Sequence, residues 1–457
     1  MWLHRKLGLV CTLLASLPFT RIPAAQGPIA DLPPLQGHIL SPPAPDAGAH
    51  AIGIRYPVIV KAGPKVLKVA GNGPDSPSAV RTKAVAASPS LAQNSAPSGI
   101  SLPTELRVKS PGWWPTKGDA SRDAYVGAAA CVKCHASKLA SQPPTAMEQA
   151  ATRAADAEIL HQHDHLSFRL GTYNEEIVTK GGKSVLTVSD EAASLSAELL
   201  WAFGVGHMGQ TYIYQRNGSF YESQLSFYAF SQSLNITPEH SLAIPGNIED
   251  AAGRRLTPAE SRRCFGCHTT ASTAKDEFDP NAAVLGVTCE ACHGPGANHA
   301  AAMKSGMGEQ GEAMIMNPRR LDPVDSVDFC GACHRTWEDV VANGFTGVGV
   351  YNVRFAPYRL ENSKCWGKGD ARLTCVACHD PHQPLEHDAA AYDSHCLQCH
   401  VTQPSDRKSA DHHGAACRVG TKNCTTCHMP KIVTPVQHST FTDHWIRIVV
   451  PGKPYPN

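Results

Sequence analysis

The pentapeptide Cys-x-x-Cys-His occurs seven times in this chain, at 131–135, 264–268, 289–293, 330–334, 375–379, 396–400 and 424–428. No other feature constrains the fold as strongly, because each copy is the attachment signature of a c-type haem. Two thiols add to the two vinyl groups of one porphyrin, and the adjacent histidine sits under the ring and binds iron. Residues i and i+3 of one helical turn share a face, so both sulfurs reach one macrocycle edge. The expected attachment residues are Cys131, Cys134, Cys264, Cys267, Cys289, Cys292, Cys330, Cys333, Cys375, Cys378, Cys396, Cys399, Cys424 and Cys427. The expected proximal iron ligands are His135, His268, His293, His334, His379, His400 and His428. The competing use of a Cys-x-x-Cys pair is half of a tetrahedral zinc site. Zinc needs neither an odd number of pairs nor a histidine after every one. Seven covalently bound haem c groups (iron) are therefore the expected cofactors.

Spacing sets the fold expectation. From Cys264 onward the first cysteines follow one another at 25, 41, 45, 21 and 28 residues, too short and irregular for independent domains. This predicts a mainly α fold with extensive irregular loops, a multihaem cytochrome c whose core is substantially porphyrin. Residues 125–160 read as helical, interrupted by Pro143 and Pro144. The 128 residues between His135 and Cys264 lack attachment sites and read differently. Alternating runs occur at 166–170, 184–188, 211–215 and 220–224, with Asn217-Gly218 between the last two. Asn-Gly between alternating runs signals a hairpin. A β-hairpin-rich insert is expected over 163–235, between haem sites 1 and 2.

The flanks supply an address. Arg5 and Lys6 precede an apolar stretch to Phe19, followed by Ala24 and Ala25, the pattern of an export signal over 1–25. Residues 26–118 are rich in Pro, Ala, Gly and Ser and have the composition of a disordered linker. The haem domain is expected over 119–457. Haem c is attached outside the bacterial cytoplasm, so the expected location is periplasmic or extracellular, with peripheral membrane association possible. Formal charge is +1; removing 1–25, with three basic residues and no acid, leaves −2. Seven haems at about −1 each take the holoprotein to about −9, which excludes nucleic acid and favours basic redox partner proteins. Of seventeen cysteines, Cys365 and Cys417 remain after the attachment sites and Cys11. An exported chain would join them in a disulfide or bury them as two thiols. No nucleophile triad, phosphate loop or paired-carboxylate motif stands out.

Three motif flanks are informative: Cys-Glu-Ala-Cys-His-Gly-Pro-Gly-Ala-Asn-His at 289–299, Cys-Val-Ala-Cys-His-Asp-Pro-His at 375–382, and Cys-Thr-Thr-Cys-His-Met-Pro-Lys at 424–431, with His438 and His444 beyond. Together they resemble the cytochrome c-554-like superfamily of multihaem cytochromes, which includes relatives of hydroxylamine oxidoreductase. The resemblance covers roughly 123–450. It implies an exported electron-transfer protein with closely packed, mostly bis-histidine haems. Nitrite reductases of this wider group carry a lysine in place of the active haem's proximal histidine, and no Cys-x-x-Cys-Lys occurs here.

The sixth position of each iron decides between electron transfer and substrate reduction. Thirteen histidines after residue 120 lie outside the motifs, enough to close every site. A histidine a few residues beyond a proximal one cannot easily circle its own ring, so His299 and His382 should reach neighbouring haems. His299, His382 and His444 are the leading distal candidates, leaning on the resemblance, followed by His438. His207, one of His412 and His413, and His240 complete the set, and each has a surface or hydrogen-bonding role as its alternative. Met147 is either a sixth ligand or a gap-filler in a helix interface. Arg254, Arg255, Arg262, Arg263, Arg319, Arg320, Arg354, Arg359 and Arg372 are candidates for haem propionates or a solvated surface. The leading function is electron transfer along the array. The alternative is an oxidoreductase that reduces a small nitrogen or sulfur oxyanion at one open haem.

Overall fold

The computed structural model describes residues 120–450 apart from 276, 345–348, 364, 367–372, 401–416, 418 and 435–436. The signal and linker readings, His412, His413 and Arg372 lie outside the described residues. All described residues belong to one unit, Ala84–Asn457.

A nine-stranded antiparallel sheet dominates the first half. Its strands are β1 (Ala151–Arg153), β2 (His165–Leu170), β3 (Tyr173–Lys180), β4 (Lys183–Ser189), β5 (Ser194–Phe203), β6 (Gly209–Arg216), β7 (Ser219–Tyr228), β8 (Ser233–Ile236) and β9 (Gly253–Arg255). The strands from β2 to β8 pair in sequence order, with β1 added on β5 and β9 on β7. The two ends, β2 and β8, touch, so the sheet curls almost closed. Bulges between Leu199 and Trp201 and between Thr211 and Ile213 bend it. Tight turns fix the register: Asn217 and Gly218 have φ of 49° and 73°, the positive pair that a type I′ hairpin requires. Gly181 and Gly182, at 60° and 75°, close β3 onto β4 in the same way.

This finding corrects the mainly α expectation. The motifs themselves make only one or two helical turns each. The span read as helical before residue 160 holds short helices at Ala128–Cys131, Ala136–Ser141 and Glu158–Gln162, with β1 between them. Pro143-Pro144 ends the helical run, and pairing of Ala151–Arg153 with Trp201–Phe203 overrides local propensity.

The sheet's two faces are filled differently. Leu160, Leu166, Ile177, Leu186, Val188, Leu199, Tyr212, Tyr214, Leu225 and Phe227 pack inside the curl. Ala251 and Ala252 of the helix Ile248–Ala252 pack in this same cluster, their small side chains allowing close approach. On the outer face, Trp201, Phe203 and Ile213 pack against Phe265 of the helix Pro258–His268. Trp201 and Phe203 meet the Phe265 ring edge-on at 5.1 and 5.0 Å, a favoured aromatic geometry. That helix starts with a capping box between Thr257 and Glu260, has Pro258 in its first turn, and ends on motif 2.

Beyond Cys289 the chain forms short helices, loops and one antiparallel strand pair, Lys431–Thr434 with Ser439–Thr442. The apolar cluster there consists of Val340, Phe355 and Tyr358 with Trp337 against them. Cys365 and Cys417 are not disulfide-bonded to each other. Among the described residues, no helix is long and apolar enough to cross a membrane.

Candidate haem-binding sites

Each motif closes a single turn. The histidine N–H donates to the first cysteine's carbonyl at Cys131–His135, Cys375–His379 and Cys396–His400, at 2.9, 3.0 and 3.0 Å. Motifs 2 and 4 form the last turns of the helices Pro258–His268 and Pro323–His334. Motifs 3 and 7 are one-turn helices, Cys289–His293 and Cys424–His428. Cysteine is ordinarily among the most buried residues, yet none of the fourteen motif cysteines is buried.

Three proximal histidines face a second imidazole. His135 faces His299 with ring centroids 6.4 Å apart, His293 faces His382 at 6.1 Å, and His379 faces His444 at 6.2 Å. A metal–imidazole bond of about 2 Å, plus about 1 Å from nitrogen to ring centre, counted on both sides, gives about 6 Å. The spacing suits one iron between each pair. In every pair the second imidazole comes from another part of the chain. His299 follows motif 3 and meets motif 1; His382 follows motif 5 and meets motif 3.

The rings are held with Nε2 outward. Nδ1 of His268 donates to the Ala150 carbonyl (3.0 Å), His293 to Met316 (2.8 Å), His299 to Gly311 (2.7 Å), His428 to Arg447 (2.8 Å) and His444 to Thr442 (3.1 Å). Such bonds fix the tautomer and leave Nε2 free for a metal. Phe203 stacks on the His268 ring at 4.8 Å and 6°. Burial pushes His268, His293, His334 and His379 below the ordinary value and His444 to about 4, so these imidazoles are neutral, the ligating form. His334 is exposed. These donors fit haem c. Among the described residues, no group of three or more His, Cys, Asp or Glu converges as a zinc site would require.

Neighbouring motifs touch. The thiols of Cys131 and Cys289, of Cys375 and Cys330, and of Cys396 and Cys424 lie close enough to interact. Cys333 Sγ donates to the Cys267 carbonyl at 3.7 Å, and Cys378 lies within electrostatic range of Cys396. Together with the imidazole pairs, these contacts link motifs 1, 3, 5, 4 and 2, and motifs 5, 6 and 7.

Other candidates lie elsewhere. His240 has Nδ1 2.8 Å from Gln224 Oε1 and Nε2 3.0 Å from Glu222 Oε2, so both ring nitrogens are engaged by side chains of β7. His207 is exposed on the β5–β6 turn. His438, at φ 46°, packs edge-on against Tyr228 at 4.7 Å. Met147 sits on the turn before β1, its carbonyl accepting from Val287 N–H at 2.8 Å. The position facing His135 is taken by His299. Five of the candidate arginines pair with acids: Arg254 with Glu222 and Glu260, Arg263 with Asp339, Arg320 with Glu312, Arg354 with Glu239, and Arg359 with Asp443.

Sequence reasoning missed the carboxylates that stitch the sites together. Glu290, inside motif 3, accepts from the backbone N–H of Val126, Gly127 and Gly296 at 2.9, 2.8 and 2.8 Å, tying motif 3 to the approach of motif 1. Asp393 accepts from Asn423 and Cys424 N–H at 2.6 and 2.8 Å, tying motif 6 to motif 7. Asp443 and Arg359 are both fully buried and bidentate, directly before His444. Asp380, directly after His379, accepts from His382 N–H (2.9 Å) and Nδ1 (3.1 Å) and lies 3.6 Å from Lys138 Nζ. An acid beside a ligand histidine is the signal that would have found the last two.

Residues 232–294, which include motifs 2 and 3, match the family model of cytochrome c554 and c-prime. The match brings covalently bound haem c and electron transfer with it. A solved structure of the outer cell wall cytochrome OcwA is also similar, at 14% identity and a TM-score of 0.40, covering 71% of this chain and 80% of that one. No curated protein matches the chain.

Proposed function

We propose that this chain is an exported heptahaem cytochrome that conducts electrons along a closely packed array. The observation that carries the reading is the set of three facing imidazole pairs at 6.1–6.4 Å, each joining residues from separate stretches of the chain. Haem c supplies a reversible one-electron change at iron. The chain's residues would do the rest. Fourteen thiols anchor the rings, and seven motif histidines bind from one side. His299, His382 and His444 bind from the other side at motifs 1, 3 and 5. Backbone carbonyls of Met316, Gly311 and Thr442 hold the rings in orientation. Contacts between motifs keep successive sites within hopping reach. With a holoprotein charge of about −9, the expected donor and acceptor proteins are basic at their contact faces.

Intact mass spectrometry of exported protein should read seven added porphyrins and loss of residues 1–25. Low-temperature magnetic resonance of the oxidised form should be dominated by low-spin signals, including those of three bis-histidine sites. A chain carrying zinc, or lacking porphyrin, would overturn the reading. Turnover of nitrite, hydroxylamine or tetrathionate with reduced viologen would replace the conduit by an enzyme.

A further inference from the structure

The three imidazole pairs differ in one respect. His299, His444 and His293 each give Nδ1–H to a backbone carbonyl, which is neutral. His382 gives its Nδ1–H to a carboxylate, Asp380 Oδ1, at 3.1 Å. The same oxygen accepts the His382 backbone N–H at 2.9 Å, so the carboxylate is locked to the residue it polarises. Its other oxygen lies 3.6 Å from Lys138 Nζ, on the helix that follows motif 1. The acid sits at the seam of three sites: it follows the motif 5 histidine, holds the imidazole facing motif 3, and meets a lysine just past motif 1.

A carboxylate behind an imidazole draws its N–H proton outward and makes Nε2 more electron-rich, which raises ligand basicity. A stronger donor favours the ferric over the ferrous ion and lowers the potential. A backbone carbonyl does this less, having no net charge. Lys138 opposes the effect by partly neutralising the acid. It acts from moderate exposure, so its influence is the smaller of the two.

We infer that Asp380 is a tuning residue that holds the potential at the motif 3 site below the value its imidazole pair alone would give, with Lys138 setting the extent. The inference rests on the haem reading above. It makes an electron's arrival at motif 3 less favourable than the imidazole pair alone would, so this acid affects how readily charge crosses between motifs 1 and 5.

The test uses purified holoprotein and three variants, read by spectroelectrochemical titration and magnetic resonance. His382→Ala identifies the site, because one low-spin signal and its potential should disappear. Asp380→Asn keeps the shape and removes the charge; that one potential should move up by more than any of the other six. Lys138→Gln leaves the acid in place and unscreened; the same potential should move down, by less. An unmoved potential in Asp380→Asn, with seven porphyrins and the low-spin signals intact, overturns the inference and leaves the haem reading standing. A uniform shift of all seven potentials also overturns it, since that is the signature of bulk charge. If Asp380→Asn fails to fold, the direction of the Lys138→Gln shift decides. A porphyrin count of zero removes both readings.

Discussion

The two halves of this protein are held together by different means. The curled sheet buries an apolar interior of its own, from Leu160 and Leu166 through Phe227, and a second cluster where Trp201, Phe203 and Phe265 meet. The run of motifs after Cys289 has an apolar cluster of three buried residues. It relies on carboxylates bonded to backbone N–H groups and on one buried ion pair. Apolar burial is non-directional and tolerates small changes in shape. A carboxylate bonded to two or three amides fixes distance and angle. Electron transfer needs spacing held constant, so directional bonds suit the part that sets the distances between sites. They do not supply a core, and in that half the porphyrins must supply it.

The largest expected effect tests that division. Replacing all fourteen motif cysteines by serine in the full chain should leave strands β2–β8 protected in hydrogen exchange while residues beyond Cys289 exchange freely. Equal protection in both halves would break the contrast. The next effect concerns the buried ion pair. Arg359→Met strands the Asp443 charge at full burial, and breaking such a pair costs about 3–5 kcal/mol. Because Asp443 precedes His444, a high-spin signal from the motif 5 site should accompany the loss in a denaturant titration. A stability loss with spectra unchanged would separate folding from ligand placement.

The third effect runs the other way and belongs to the sheet. Glu175 on β3 is fully buried with neither carboxyl oxygen bonded. Burial raises its pKa from 4.5 to about 8. The folded state therefore keeps the proton longer than the unfolded state does. Stability should fall as pH rises through the window between these two values and level off above it. Glu175→Gln should flatten that slope and stabilise the protein above pH 8 by at most about 5 kcal/mol. A wild-type profile without the slope would contradict the assignment. The smallest effect is at the junction of the two halves. Thr257→Ala removes the cap of the motif 2 helix and should cost about 1 kcal/mol, read as a shift in thermal midpoint.

How much the sequence discloses follows the same line. Where a few adjacent residues carry the information, it was legible. The pentapeptides pointed to covalently bound haem c, and Asn217-Gly218 predicts its hairpin because only two positive φ angles close that turn. The facing of His299 and His382 toward other motifs followed from chain geometry near each motif. The sheet's extent was hidden because β1 and β9 are three residues long and exist only through pairing with β5 and β7. The partners of His240, Glu222 and Gln224, lie eighteen and sixteen residues away and gave no local sign of their contact with its ring. The role of Arg359 was not legible because its acid, Asp443, lies 84 residues ahead. Partners that far apart leave no local mark on composition or periodicity.

The contacts between thiols of different motifs bear on how such a molecule is made. Cys131 with Cys289, Cys330 with Cys375 and Cys396 with Cys424 each bring together sulfurs that must end on separate macrocycles. A chain that compacted before loading would present three ready cross-links to any oxidant, each sealing two attachment points at once. Loading the cofactors on a still-open polypeptide would keep these thiols from sealing one another.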